Sequence, residues 1–181
     1  GGSYELIGVT IQDSTAEDML HIVRSKGLVD GLVLDTGKSD GIDIDYGKLS
    51  LNNASLIDLG GDGIDTSSSE VDMKNIFIKN IYDKGLSIGE KSKVNIKDVD
   101  IQNASTCIAV KDESAATING SKLKECRKYG LMSYIKKDKF GGAKLVYKGA
   151  INKQMSYFLD YPSSMVVNGN EYPANGSKSE I

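Results

Sequence analysis

Cysteine, proline, histidine and tryptophan are scarce or absent: the 181 residues include two cysteines, two prolines, one histidine and no tryptophan. Two cysteines cannot form a disulfide framework or a four-ligand zinc site. Only two residues are arginine, and the balance of 22 basic against 25 acidic residues argues against a nucleic-acid partner. No apolar run approaches the roughly 18 residues of a membrane-spanning helix, so no membrane span is expected.

A repeat of about 22 residues runs through most of the chain. Successive members of its most regular apolar column are 22, 22, 22, 22 and 23 residues apart: Leu20, Ile42, Ile64, Leu86, Ile108 and Leu131. A second column, two residues further on, is also mostly apolar: Ile22, Ile44, Thr66, Ile88, Val110 and Ser133. This alternation is typical of a β-strand with one buried face.

The repeat predicts an all-β fold. A single unit cannot bury its apolar face, whereas stacked units give every strand a partner above and below. We therefore expect a single-stranded right-handed parallel β-helix, a solenoid with coils of about 22 residues and roughly seven rungs. A leucine-rich horseshoe has a similar period, but its Leu-x-x-Leu-x-Leu pattern is missing.

Turn-forming residues recur at fixed places in the coils. Asparagine and aspartate tolerate left-handed backbone, so we expect corners at Asp58, Asn80 and Asn103 and earlier in the coil at Asn75 and Asp98. Glycine precedes the apolar triplet in four coils, which suggests a backbone angle that side chains resist: Gly41, Gly63, Gly85 and Gly130.

The expected domain covers residues 4–173. Residues 1–3 read as a cloning remnant, 136–142 as a loop insertion, 161–173 as a closing partial rung and 174–181 as a frayed tail. Near the start, Ser14 and Glu17 could cap a helix, but the 22-residue alignment favours another rung.

Aspartates crowd the outward positions of two adjacent rungs: Asp40, Asp43, Asp45, Asp62 and Asp65. Like charges about 5 Å apart repel, so we expect a compensating group. Lys84 on the next rung is one candidate, and Ca²⁺ held by Asp43 and Asp65 is another, although no cofactor is required. The alternative is a solvated face that keeps the solenoid soluble.

Further along the same face the charge becomes basic. Lys111, Tyr134 and Lys136 extend the candidate ligand-binding set. Such a surface could hold a uronate-containing chain, with lysines meeting its carboxylates. Ordinary surface lysines are the alternative.

The two cysteines are expected to be unpaired. Cys126 falls in an apolar column with Leu59, Ile81 and Ala104, which indicates a buried thiol. Cys107 lies at a different corner of the neighbouring coil, so we expect no disulfide between them.

Several segments carry a family resemblance: "SDGIDID", "GDGIDTS", "DKGLSIGEKS", "CIAVKDES" and "YIKKDKFGG". They resemble the pectate-lyase-like β-helix superfamily, and more narrowly the β-helix regions of bacterial extracytoplasmic proteins, some attached to spore-coat-kinase-like modules. The similarity covers residues 7–172. It implies a secreted or cell-surface protein, flanked by other domains, that meets polysaccharide as an enzyme, a binding module or a spacer.

The polygalacturonase branch of that superfamily fits poorly. Asp40-Gly41 resembles its first motif and residues 107–111 its second, but Ser105 and Thr106 replace the paired aspartates. The branch's Gly-His-Gly motif is absent. Hydrolysis needs two carboxyl groups, so that scheme is not expected.

Three functions remain open. The leading hypothesis is a non-catalytic module that binds or scaffolds polysaccharide, with an acidic glycan as one candidate. The second is a uronate lyase or epimerase, in which Arg127 or Lys84 would be the base. The third is a structural spacer within a larger cell-surface protein.

Overall fold

The structure is a computed structural model that describes residues 2–152 and 155–177. Residue 1 of the expected cloning remnant and residues 178–181 of the expected tail lie outside the described residues. Fifteen strands form one sheet. They are β1 Ser3–Ile7, β2 Thr10–Ser14, β3 Asp18–Val23, β4 Lys26–Asp30, β5 Val33–Gly37, β6 Asp40–Asp45, β7 Lys48–Leu59, β8 Ile64–Ser67, β9 Glu70–Gly89, β10 Lys93–Lys111, β11 Ala115–Tyr134, β12 Lys144–Ala150, β13 Tyr157–Leu159, β14 Ser164–Val167 and β15 Asn170–Glu171.

The chain is a parallel β-solenoid of about seven turns, as the repeat predicts. Its coils have three faces. Face 1 begins with β1 and β4 and continues through the first segments of β7, β9, β10 and β11 to β12 and β14. Face 2 begins with β2 and β5 and continues through the second half of β7 and the middle segments of β9, β10 and β11. Face 3 contains β3, β6, β8, the last segments of β9, β10 and β11, and β13. In the part of the chain that the structure describes, β14 and β15 are the only strands that pair antiparallel.

Both predicted apolar columns are confirmed on face 3. Each residue of the first column pairs with the next one along, from Leu20 through to Leu131. Ile42, Ile64, Leu86 and Ile108 are fully buried. The segment around Ser14 and Glu17 contributes a strand, β3, and is therefore another rung.

The corners explain the recurrent asparagines and aspartates. All five predicted corner residues have positive φ, between 56° and 61°. Their side chains also bond between coils, since Asn80 Nδ2 donates to Asp58 Oδ1 over 2.7 Å and Asn103 Nδ2 donates to Asn80 Oδ1 over 2.9 Å. Each corner is thus stabilised along the stack as well as within the coil.

The glycines before the triplet serve close packing. None of them is among the positive-φ residues, so the expected backbone angle is wrong. A Cβ on Gly41 would lie 2.6 Å from the carbonyl oxygen of Gly63, and one on Gly63 would lie 2.6 Å from that of Gly85. Glycine is needed here because the next coil passes directly against the backbone.

The expectation of two unpaired cysteines is wrong. Cys107 and Cys126 form a disulfide with a Cα–Cα distance of 5.4 Å. Cys126 does pair with Ala104, as its column predicts, but the next pairing is Thr106 with Tyr129. One residue of β10 therefore faces two residues of β11, and this bulge lies at the corner where the two cysteines meet.

Residues 135–143 lie outside the strands and are held by two buried carboxylates. Asp112 Oδ1 accepts from the backbone N–H groups of Lys136 and Lys137 at 2.7 and 2.8 Å, and Asp160 Oδ2 accepts from that of Ile135 at 3.0 Å. The loop is thereby fixed against face 3.

Candidate functional site

The candidate site is the outer surface of face 3, where the outward side chains of successive coils form columns. Its central column runs His21, Asp43, Asp65, Ser87, Ala109, Met132 and Phe158. The outward residues change from charged to apolar along the stack. The register brings together the aspartates that the repeat places on neighbouring rungs.

Three carboxylates form one compact group, which we call the Asp62 cluster: Asp40, Asp62 and Asp65. One carboxylate oxygen from each lies within 4.8 Å of the others. Asp40 Oδ1 also accepts from the backbone N–H of Asp62 at 2.7 Å, so its orientation is set by the coil above. Carboxylate oxygens at this separation suit a hard cation such as Ca²⁺.

Lys84 partly neutralises this cluster. Its Nζ lies 3.3 Å from Asp62 Oδ1 and 2.5 Å from Asp83 Oδ2. Burial alone would lower the pKa of Lys84, but the Asp62 and Asp83 carboxylates raise it above its ordinary value. Lys84 is therefore held protonated, which confirms a close internal partner for Asp62.

Asp65 has fewer favourable polar contacts than Asp62. Its Oδ1 is buried and finds no hydrogen-bond partner among the described residues. The nearest cation is Lys111, whose Nζ is 3.9 Å away and donates instead to Ser87 Oγ at 2.6 Å. Because a buried carboxylate oxygen without a hydrogen bond is costly, this atom marks the place where the cluster lacks a donor within hydrogen-bond distance.

A second group lies one coil towards the N-terminus and contains Asp18, His21, Asp43 and Asp45. His21 Nε2 is 3.2 Å from Asp45 Oδ2 and 3.5 Å from Asp43 Oδ2, while Nδ1 is 3.8 Å from Asp18 Oδ2. The bond to Asp45 raises the pKa of His21 above its usual range. Apart from its column position, nothing in the sequence pattern indicated that His21 would be the centre of this group.

Burial and mutual repulsion raise the pKa values of several of these carboxylates. Burial, followed by the charges of Asp45 and Asp65, raises the pKa of Asp43 to about 6. Burial is also the largest cause of the raised pKa values of Asp18, Asp40 and Asp62. At neutral pH the ionised carboxylates therefore repel one another, and this repulsion destabilises the surface.

Most of the expected basic half of the surface is buried. Lys111 is 6% exposed and Tyr134 is 4% exposed, so neither is available to a polymer as the sequence suggested. The stem of Lys111 lies over Gly89, where an added Cβ would be 2.7 Å from its Cε. Tyr134 instead packs edge-on against Phe158, with ring centroids 6.2 Å apart. Lys136 is exposed on the loop.

The two candidate bases are engaged elsewhere. Lys84 is held protonated by its acidic neighbours, and Arg127 lies at the corner between faces 2 and 3, with its guanidinium on Asn103 and on two backbone carbonyls. Burial lowers the pKa of Lys111, but its Nζ is enclosed. These contacts disfavour the lyase hypothesis in the form that the sequence suggested.

Comparison with known families decides the affiliation of this fold. Residues 2–149 match the family described as right handed beta helix region. The chain belongs to this right-handed β-helix family. Comparison with curated proteins and with solved structures found no match in either case. Among the described residues, no helix is long and apolar enough to cross a membrane. The family defines the coil and its handedness and leaves the chemistry of the outer surface of face 3 open.

Proposed function

We propose that this β-helix is an extracytoplasmic module that binds polysaccharide on the outer surface of face 3, with a divalent cation such as Ca²⁺ held by the Asp62 cluster. The cation would neutralise the aspartates and present open coordination positions to sugar hydroxyl or carboxylate oxygens. The module would bind polysaccharide without catalysing a reaction, and it would thereby hold the flanking domains of a larger protein at the polysaccharide.

One observation carries this proposal: Asp65 has a buried Oδ1 without a hydrogen-bond partner among the described residues, and one of its carboxylate oxygens lies within 4.8 Å of oxygens of Asp40 and Asp62. Lys84 neutralises Asp62, whereas Lys111 Nζ donates to Ser87 and stays 3.9 Å from Asp65 Oδ1. A cation bound here would supply the missing neighbour of Asp65 and relieve the repulsion within the cluster.

The disulfide supports an oxidising location. Disulfides form and persist in secreted and periplasmic proteins and are rare in reducing compartments. The bond between Cys107 and Cys126 therefore favours an extracytoplasmic role over a cytosolic one.

Calcium should raise the thermal stability of the folded chain. At a hundredfold excess over the dissociation constant, a ligand specific for the folded state adds about 2.7 kcal/mol, or a rise in Tm of roughly 5–10 °C for a chain of this size. The measurement is a thermal-shift titration with CaCl₂ at pH 7, followed by a glycan array with Ca²⁺ or with EDTA.

Asp65→Asn should abolish both the shift and the calcium-dependent glycan binding, since it keeps the shape of the side chain and removes its charge. Asp72→Asn is the matched control, because Asp72 is exposed on face 1 and its Oδ1 accepts from Asn95 at 3.0 Å, a bond that an amide oxygen can keep. An equal calcium response in wild type and Asp65→Asn would disprove the cation site. A blank array under both conditions would favour the spacer hypothesis.

A further inference from the structure

A second candidate metal site is centred on His21 and shares no residue with the Asp62 cluster. His21 is the only histidine of the chain, and it lies on β3 directly opposite Asp43 of β6. Asp45 follows Asp43 by two residues, so both carboxylates lie on the same outward side of β6. Two neighbouring strands therefore bring one imidazole and two carboxylates together on a rigid part of the sheet.

The distances from His21 to these two carboxylates match those between ligands of a tetrahedral metal. Nε2 of His21 lies 3.2 Å from Asp45 Oδ2 and 3.5 Å from Asp43 Oδ2. Bonds of about 2.0 Å to a tetrahedral zinc ion place neighbouring ligand atoms about 3.3 Å apart. The same nitrogen thus already stands at the spacing that zinc requires from both oxygens.

The other ring nitrogen of His21 faces a third carboxylate. Nδ1 lies 3.8 Å from Oδ2 of Asp18, which is three residues earlier on the same strand. In metal sites the imidazole nitrogen that does not bind the metal usually donates its N–H to a carboxylate, a carbonyl oxygen or water, and this bond sets the tautomer and the orientation of the ring. Asp18 occupies the position of that partner, so the group contains a positioning residue as well as the ligands.

The charge of this group is not balanced by the protein. Among the described residues, no lysine or arginine forms an ion pair with Asp18, Asp43 or Asp45. A protonated His21 supplies one positive charge against three negative ones. A divalent ion bound to the neutral imidazole would supply two, so it would neutralise the carboxylates better than the proton does.

The donor set favours a transition metal over calcium, because imidazole nitrogen suits zinc, copper, iron and nickel whereas Ca²⁺ takes oxygen ligands. We propose that Nε2 of His21 binds a divalent transition metal such as Zn²⁺ together with Asp43 and Asp45. Asp18 is the positioning residue. The His21 side chain is 44% exposed, so the fourth coordination position faces solvent and can take water or a ligand. This site does not depend on the proposed function, since it requires neither the Asp62 cluster nor a glycan.

The test is proton–nitrogen NMR of the imidazole in untagged, metal-free protein during titration with ZnCl₂ at pH 7. Because the chain has one histidine, every imidazole signal belongs to His21. Zinc should shift the Nε2 resonance and fix the proton on Nδ1, whereas CaCl₂ at the same concentration should leave both ring nitrogens unchanged. In calorimetry, Asp18→Asn should weaken zinc binding by about 10- to 100-fold, and His21→Ala and Asp45→Asn by at least as much.

Asp72→Asn is the matched control, because it removes an exposed outward carboxylate on face 1 and should bind zinc as wild type does. A wild-type imidazole that does not respond to zinc would overturn the inference and leave His21 as a counter-ion of the carboxylates. Equal zinc affinity of wild type and His21→Ala, or a zinc response at Nδ1 in place of Nε2, would also overturn it. The calcium shift depends on Asp65 and is measured without the imidazole signal, so either proposal can fail while the other holds.

Discussion

The two ends of the central outward column on face 3 have the same backbone geometry and opposite surfaces. At the N-terminal end, His21, Asp43 and Asp65 lie partly exposed on the outer surface, where His21 contacts Asp43 and the two carboxylates repel each other. At the C-terminal end, Met132 and Phe158 occupy equivalent positions and are each 3% exposed. One end is open and charged, while the other is a second, smaller apolar core.

This difference shows that an outward position in a solenoid is not necessarily a surface position. The inner columns are mostly apolar because they always face the core, with Thr66 and Ser133 as exceptions, whereas the outer columns depend on what covers them. Tyr129, Met132, Tyr134 and Phe158 cover one another around Ala109. The open end is left as the part of face 3 that can meet a ligand.

Truncating the covered end should cost far more than truncating the open end. Phe158→Ala removes a buried ring and should destabilise the fold by about 3–5 kcal/mol. His21→Ala, at the opposite end of the same column, should change stability by no more than about 0.5 kcal/mol. Urea denaturation followed by circular dichroism measures both, and similar costs for the two variants would contradict the distinction between the ends.

The repeat made the solenoid predictable, because stacked coils must keep the same residue type at the same inward position. It also predicted the aspartate columns, since Asp43 and Asp65 follow directly from the 22-residue register. Burial of Lys111 and Tyr134 was not predictable in the same way. Tyr134 packs against Phe158, which lies 24 residues further on and outside the regular repeat, and the side chain of Lys111 folds back over Gly89 to reach Ser87.

The disulfide was missed for a related reason. Column positions assume that every coil has the same length, whereas the bulge between Ala104 and Thr106 changes the path of one corner. Arg127, one of the two residues opposite the bulge, was weighed only as a base. Its hydrogen bonds reach back two coils, to the carbonyl oxygens of Ile81 and Tyr82, which residue spacing does not reveal.

Removing the disulfide should weaken the covered end while leaving the open end unchanged. The bridge joins residues 19 apart, and the replacement of both cysteines by alanine should cost roughly 3 kcal/mol through greater freedom of the unfolded chain. Urea unfolding of the double variant, compared with wild type with and without dithiothreitol, measures this cost. Calcium response at Asp65 should persist in the folded variant, and its loss would mean that the two ends are coupled.

The smallest expected effect is the pH dependence of the open end. The pKa of Asp43 is about 6 in the fold, above its ordinary value of 3.8, so the folded state binds the proton more tightly and stability falls as pH rises between these values. Exposure to solvent limits the effect to about 1 kcal/mol or less. Asp43→Asn should therefore unfold at a higher temperature than wild type at pH 7 and lose this advantage at pH 4.

Thermal midpoints across that range test the sign, and 1 M NaCl should shrink the difference because salt screens the partly exposed charges. A wild type that gains stability relative to Asp43→Asn as the pH rises would show that Asp43 is stabilised by its neighbours, and the open end would then not be the strained surface that a cation could relieve.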